Sequence, residues 1–248
     1  MANRDLVFGR LGRRRLAAGL LGLAAAVLAT PVQAGDLSVS PTRLELGQTG
    51  TATIVVRNDG PAASVLQVSA MRWLDSPMAA ALEPAPELLA VPPVFSLKAG
   101  AQQVIRLALR DRSRPSIERS FRLLISEVPA PAAGQAAPGG VQFALGFNVP
   151  VFQKPPGALA APVWSIDVGP NGPLLGLRNV GQAHVQVSRI QVRSASGASV
   201  AEMKEPFYLL PGRARSWPLP RNAAGSSLTV VAETNLGTLE ERLAAPGE

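Results

Sequence analysis

The 248-residue sequence has no cysteine and a single histidine, His184, and each absence excludes a class of chemistry. Without cysteine there is no thiol nucleophile, no thiolate metal site and no disulfide. One histidine cannot build a multi-histidine zinc site, and it leaves histidine-based acid/base catalysis only one residue to draw on. No metal and no cofactor is expected. Aromatic residues make up only 4%, while 23 glycines and 23 prolines are scattered as punctuation rather than in a strict period. That composition suits strands and turns better than helical repeats. With 47% hydrophobic residues the chain can fill one large or two modest cores, which excludes disorder and collagen-like structure.

Basic charge is less abundant than the formal +7 suggests, because the first 34 residues hold Arg4, Arg10, Arg13, Arg14 and Arg15 against Asp5. The remainder has 19 basic and 16 acidic residues, with no dense Lys/Arg run interleaved with aromatics, so no nucleic-acid partner is expected. Nor is an enzyme. Adjacent carboxylates such as Glu240 and Glu241 would point to opposite faces of a strand and cannot share one substrate bond.

Arg13 to Arg15 precede an apolar run from Leu16 to Leu28, followed by Thr30, Pro31 and a small-residue cleavage pattern, Val32-Gln33-Ala34. Residues 1–34 therefore read as a signal peptide, and the mature chain would begin near Gly35. The run is short of the roughly 20 residues that cross a bilayer. Arg13-Arg14-Arg15-Leu16 is similar to a twin-arginine signal, but ordinary secretory signals share it, and the general secretory route is favoured. A second long apolar run is missing, so no stable membrane insertion is expected, and the location is the bacterial envelope or outside it.

From Leu37 onward the apolar signal has period two and is broken every ten or so residues by turn chemistry, as in a β-sandwich. The strand candidates before residue 155 are Leu37 to Leu46 (broken at Pro41), Thr51 to Arg57, Ser64 to Trp73, Leu88 to Leu97, Gln103 to Leu109, Ser120 to Glu127 and Val141 to Phe152. Pro41 and the Pro92-Pro93 pair cannot donate ladder hydrogen bonds, so their segments should be edge strands or should switch sheets at the proline. Ala130 to Gly140 reads as a mobile loop, and the stretch from Lys154-Pro155-Pro156-Gly157 to Pro162 as a short, stiff linker. The expected division is residues 35–155 for a first sandwich and 156–248 for a smaller second one. Within the latter, Trp164 to Val168, Leu174 to Asn179, His184 to Arg193, Ala198 to Met203, Phe207 to Leu210, Arg215 to Leu219, Leu228 to Thr234 and Thr238 to Leu243 are shorter strand candidates. His184 is read as a strand residue without function.

Val141, Phe143, Leu145, Phe147 and Val149 alternate with Gln142, Ala144, Gly146 and Asn148 without a miss. Alternation leaves two readings open. The apolar side chains either face the strand's own core, or the strand lies at an edge and offers backbone groups and bulky side chains to another chain.

The first half of the sequence resembles the periplasmic pilus chaperones of the chaperone/usher pathway. The resemblance runs through Ser38-Val39-Ser40-Pro41-Thr42-Arg43, Thr53 to Asn58 with Asp59-Gly60, and Gln67 to Trp73. It continues through Val91-Pro92-Pro93-Val94-Phe95, Ala99-Gly100, Gln103 to Leu107, and Glu118-Arg119-Ser120-Phe121-Arg122 on to Pro129. Beyond Pro155 it is limited mainly to Thr234-Asn235-Leu236-Gly237. It implies an all-β, L-shaped pair of immunoglobulin-like sandwiches in the periplasm, binding pilin-like subunits and delivering them to an outer-membrane usher. By the same likeness the donor strand would be Val141, Phe143, Leu145, Phe147 and Val149, and Arg43 would be one of two cations anchoring the subunit's terminal carboxylate. The second family cation aligns with Pro150, a departure that is more similar to the archaic branch, and Arg122 is the expected substitute. Glu118, Lys154 and Asn235 align with an ion-pair network between the domains, with Asn235 uncharged where the family has Asp. The same edge is a candidate for self-association of the unloaded protein. The competing reading is a secreted adhesive or structural sandwich pair whose alternating strand serves its own core.

Overall fold

The computed structural model describes residues 37–75, 80–111, 113–128, 146–223, 225 and 227–244. The expected signal peptide, the loop Ala130 to Gly140, and Val141, Phe143 and Leu145 lie outside the described residues. Strands dominate: β1 (Leu37–Ser40), β2 (Leu44–Glu45), β3 (Thr51–Asn58), β4 (Ser64–Asp75), β5 (Ala80–Pro84), β6 (Leu88–Val91), β7 (Val94–Leu97), β8 (Gln102–Leu109), β9 (Arg119–Glu127) and β10 (Gly146–Gln153) build the first sandwich. One of its sheets has the order β1-β3-β8-β6, and the other β2-β10-β9-β4-β5 with β7 also on β4. Ile54, Val56, Ile105, Leu107, Phe121, Leu123 and Ile125 meet between them, each at most 1% exposed. Burial of each such side chain is worth about 1.5–3 kcal/mol, which is how a chain without disulfides stays folded.

The chain changes sheets at its prolines. β1 and β2 are separated by Pro41 and lie in opposite sheets, and β6 and β7 are likewise divided at Pro92-Pro93. A residue without an N–H cannot continue a ladder, so it marks where one sheet is left and the other entered. The sequence segment Leu88 to Leu97 is thus two strands rather than one.

The second sandwich comprises β11 (Pro162–Gly169), β12 (Gly172–Asn179), β13 (Val185–Ser194), β14 (Ser199–Met203), β15 (Phe207–Leu209), β16 (Ala214–Pro218), β17 (Leu228–Thr234) and β18 (Gly237–Leu243). Its sheets are β11-β12-β16 and β14-β13-β17-β18, with β15 also on β13. Leu175, Leu177, Val185, Val187, Ile190, Val192, Leu209, Leu228 and Val230 fill its separate core. Among the described residues no helix is long and apolar enough to cross a membrane.

Each sandwich is closed by a fully buried asparagine at a strand end. Asn58 Nδ2 donates to the carbonyls of Ala62 (2.7 Å) and Leu97 (3.0 Å), and its Oδ1 accepts from Gly60 N. Asn179 Nδ2 donates to Ala183 (2.7 Å) and Leu209 (3.1 Å), and its Oδ1 accepts from Gly181 N and Ala161 N. A buried amide is tolerated only when its donors and acceptor are matched in this way.

Candidate functional site

The site is built on β10, whose two edges differ. On one side β10 pairs antiparallel with β9 over its whole length, from Gly146 opposite Ser126 to Gln153 opposite Arg119. On the other side β2 runs parallel to it and meets only Val151 and Phe152, and Leu46 N adds one bond to Phe152 O at 2.7 Å. From Gly146 to Pro150 no described strand covers that second edge. Pro150 brings no N–H to it.

Side-chain direction alternates along β10. Val149 and Val151 lie in the first core, with Phe147 packed against it at half-exposure. Val149 is 3% exposed, so its side chain belongs to this chain's own core and the expected row of donors is shortened at that end. The resulting order is Phe147 at the rim of the core, with the pattern continuing upstream into residues outside the described ones.

Asn148, Pro150 and Phe152 take the opposite face. There the register brings the two expected anchor cations into one row. Pro150 sits opposite Arg122, and Leu44 is level with Val151, so Arg43, one residue earlier, falls beside Pro150. Two strand spacings put the backbones of Arg43 and Arg122 about 10 Å apart, within reach of one ligand for side chains of this length. Arg43 is exposed, and its Nε lies 4.0 Å from Glu45 Oε1, a distance in water that contributes little and leaves the guanidinium available. Arg122 stacks on Trp73, its Cζ 3.6 Å from the ring centroid, and its Nη1 lies 3.5 Å from Asn148 O.

Beside this row the sandwiches meet. Phe152, Trp73 and Leu210 form a third buried cluster, with Leu82 and Tyr208 against it. His184 stacks on Phe152 at 3.8 Å with 20° between the planes. Its Nδ1 is 2.9 Å from both carboxylate oxygens of Glu118, its backbone N donates to Oε1 at 3.2 Å, and Glu118 N donates to Gln182 O at 3.0 Å. A Glu118 carboxylate requires the proton to sit on Nδ1, and Nε2 is buried with no partner among the described residues.

The expected interdomain set is therefore corrected. Glu118 does join the two sandwiches, but its partner is His184, the residue read as having no function. Lys154 is exposed and makes no ion pair with a described residue. Asn235 works inside the second sandwich, its Oδ1 accepting from Gln186 N at 2.7 Å and its N donating to Gln186 O. The signal for His184 was slight: 66 residues separate it from Glu118, and no local spacing announces such a pair.

Residues 36–159 match the profile of a family described as pili and flagellar-assembly chaperone, PapD N-terminal domain. No curated protein has a matching sequence. Among solved structures, the CsuC-CsuE chaperone-tip adhesion subunit complex of the archaic Csu pili of Acinetobacter baumannii superposes with a TM-score of 0.62 at 17% identity, over 84% of this chain and 98% of that one. The Salmonella enterica SafA pilin in complex with the SafB chaperone gives 0.60 at 17%, over 84% and 97%. The Pseudomonas aeruginosa CupB2 chaperone gives 0.55 at 15%, over 84% and 100%. At these identities the likeness shows the fold: two immunoglobulin-like sandwiches in one all-β chain.

Proposed function

Because the chain belongs to the pilus and flagellar-assembly chaperone family, we propose that it is a periplasmic chaperone that holds pilin-like subunits by donating a β-strand and passes them to an outer-membrane usher. The observation that carries the reading is the edge of β10 between Gly146 and Pro150, which no described strand covers and which is bounded by β2 at Val151. An incoming strand finds backbone groups there, and apolar side chains from Val141, Phe143, Leu145 and Phe147 to fill its own incomplete core. Several such side chains, each worth about 1.5–3 kcal/mol before ordering costs, suffice to hold an unfinished sandwich. Solved relatives whose names pair a chaperone with a tip adhesion subunit or a pilin support the choice of partner.

Arg43 and Arg122 take the subunit's terminal carboxylate. A carboxylate leaving water needs charge-assisted hydrogen bonds, and a guanidinium supplies two in one plane. Pro150, level with both, carries no charge and so competes with neither for the carboxylate. No bond is made or broken in this mechanism, and no cofactor enters it.

Co-expression with a pilin-like subunit in a bacterial periplasm tests the reading. Wild type is expected to yield soluble complex, and Leu145→Glu and Phe147→Glu less than about a tenth as much, the cost of burying a charge in the subunit's core. Equal recovery with all three sinks strand donation. If both variants lose their own fold by circular dichroism, the strand serves this chain's core instead.

A further inference from the structure

Trp73 is 7% exposed, and its Nε1 has no hydrogen-bond partner among the described residues. A leucine would fill much of that space without burying an unmatched donor, so the N–H does not explain the residue. Its face does. The Arg122 guanidinium carbon lies 3.6 Å over the Trp73 ring and 5.7 Å from the Tyr208 ring. Tyr208 meets Trp73 edge-on at 5.6 Å, and Phe152 backs both at 6.1 and 5.6 Å. Trp73 stands on β4 of the first sandwich, whereas Tyr208 stands on β15 of the second. The aromatic walls around Arg122 therefore come from both sandwiches.

We propose that Trp73 and Tyr208 are positioning residues that hold the Arg122 guanidinium by its face, so that packing between the sandwiches sets how well the chain grips a terminal carboxylate. The inference rests on the strand-donation reading, within which Arg122 is an anchor. Stacking occupies the face of a guanidinium and leaves its N–H groups in the plane, the geometry a carboxylate needs. It also cuts the rotamer freedom that a long arginine side chain would otherwise lose on binding. Arg43, exposed and with no ring against it among the described residues, has no such support.

The test uses the full mature chain and a ten-residue peptide of alternating valine and threonine, once with a free terminal carboxylate and once as the amide, and reads the ratio of the two dissociation constants. Wild type is expected to prefer the acid by about tenfold or more, and Trp73→Leu by only about twofold. Trp73→Phe, which keeps an aromatic face and drops the N–H, is expected to stay within about twofold of wild type, and Tyr208→Leu to fall between. A merely structural role weakens both peptides alike and leaves the ratio unchanged. If wild type itself does not distinguish acid from amide, the carboxylate anchor falls, and this inference with it. If wild type distinguishes them and Trp73→Leu does so equally, only the positioning role is overturned. The same follows if Trp73→Phe loses as much as Trp73→Leu. Should Trp73→Leu not fold, Trp73→Met and Tyr208→Leu carry the comparison, and an undiminished ratio in either overturns the proposal.

Discussion

The two sandwiches share one closing device and differ at one edge. Asn58 and Asn179 end equivalent strands, and each ties its own loop to the carbonyl four residues on and to the end of a later strand, at nearly equal distances. The edge of the second sandwich at β18 carries exposed Glu240, Glu241 and Arg242, opposite Val231, Val230 and Thr229. Charge along an edge discourages a foreign strand. The edge of β10 from Gly146 to Pro150 reads Gly-Phe-Asn-Val-Pro and carries no charge at all. The β18 and β10 edges thus differ in charge, and the uncharged stretch of β10 is the one beside Arg43 and Arg122.

The contact that joins them gives the largest expected effect. His184→Ala leaves the Glu118 carboxylate buried with only backbone donation, which costs about 3 kcal/mol or more. Calorimetry is expected to show one unfolding transition for the mature wild type and two separated transitions for the variant. A single transition shifted as a whole would mean that the aromatic cluster alone couples the sandwiches.

Next come the matched asparagines. Asn58→Ala and Asn179→Ala each strand two carbonyls and at least one N–H in a buried site, at about 2–3 kcal/mol apiece. Urea unfolding should show similar losses for the two. Only Asn58→Ala should also reduce recovery of a pilin-like subunit. If Asn179→Ala lowers recovery equally, the division between a binding sandwich and a supporting one does not hold.

A smaller effect tests the edges themselves. Asn148 is exposed on the stretch of β10 that no described strand covers, and Asn148→Lys copies the charge seen on β18. Recovery of the subunit complex is expected to fall about tenfold, about 1.4 kcal/mol, with the melting temperature within about 2 °C of wild type. The converse change, Glu240→Thr with Glu241→Thr, should increase self-association in sedimentation. No change in either would remove edge charge as the distinguishing feature.

The sandwich character was legible because it is written in local signals. Period-two alternation placed β3, β8 and β9, and prolines narrowed Pro41 and Pro92-Pro93 to an edge or a sheet change, of which the structure takes the sheet change. β5 escaped because Ala80-Ala81-Leu82-Glu83-Pro84 has neither β-branched residues nor alternation. It becomes a strand by pairing with the far end of β4, a tertiary cause. At the site, Arg43 was expected through likeness to a family and Arg122 as the substitute for the cation missing at Pro150, and it took the register of three strands to put the two in one row. Val149 shows the limit of alternation, since the period that suggests a donor row runs on without a break into a residue of this chain's own core. The Glu118–His184 pair was illegible because its meaning depends on how two separate sandwiches dock.

The smallest effect concerns a face with no part in the site. On the second sandwich Glu202 is held by hydrogen bonds from Arg189 and then Lys204, which lower its pKa to about 2. A carboxyl group depressed in the folded state stabilises the fold above its unfolded value, near 4.5, and that contribution is lost as the pH falls toward 2. On the first sandwich Asp59, bonded to Arg57 and Ser38, is lowered in the same direction, so acid should weaken both sandwiches through exposed pairs. Exposed pairs contribute little, and Glu202→Gln is expected to lower the melting temperature by about 1 °C at pH 7 and by nothing at pH 2. Subunit recovery should be unchanged at neutral pH, because this network lies away from the β10 edge. A fall in recovery with Glu202→Gln would mean that the second sandwich does more than support the first.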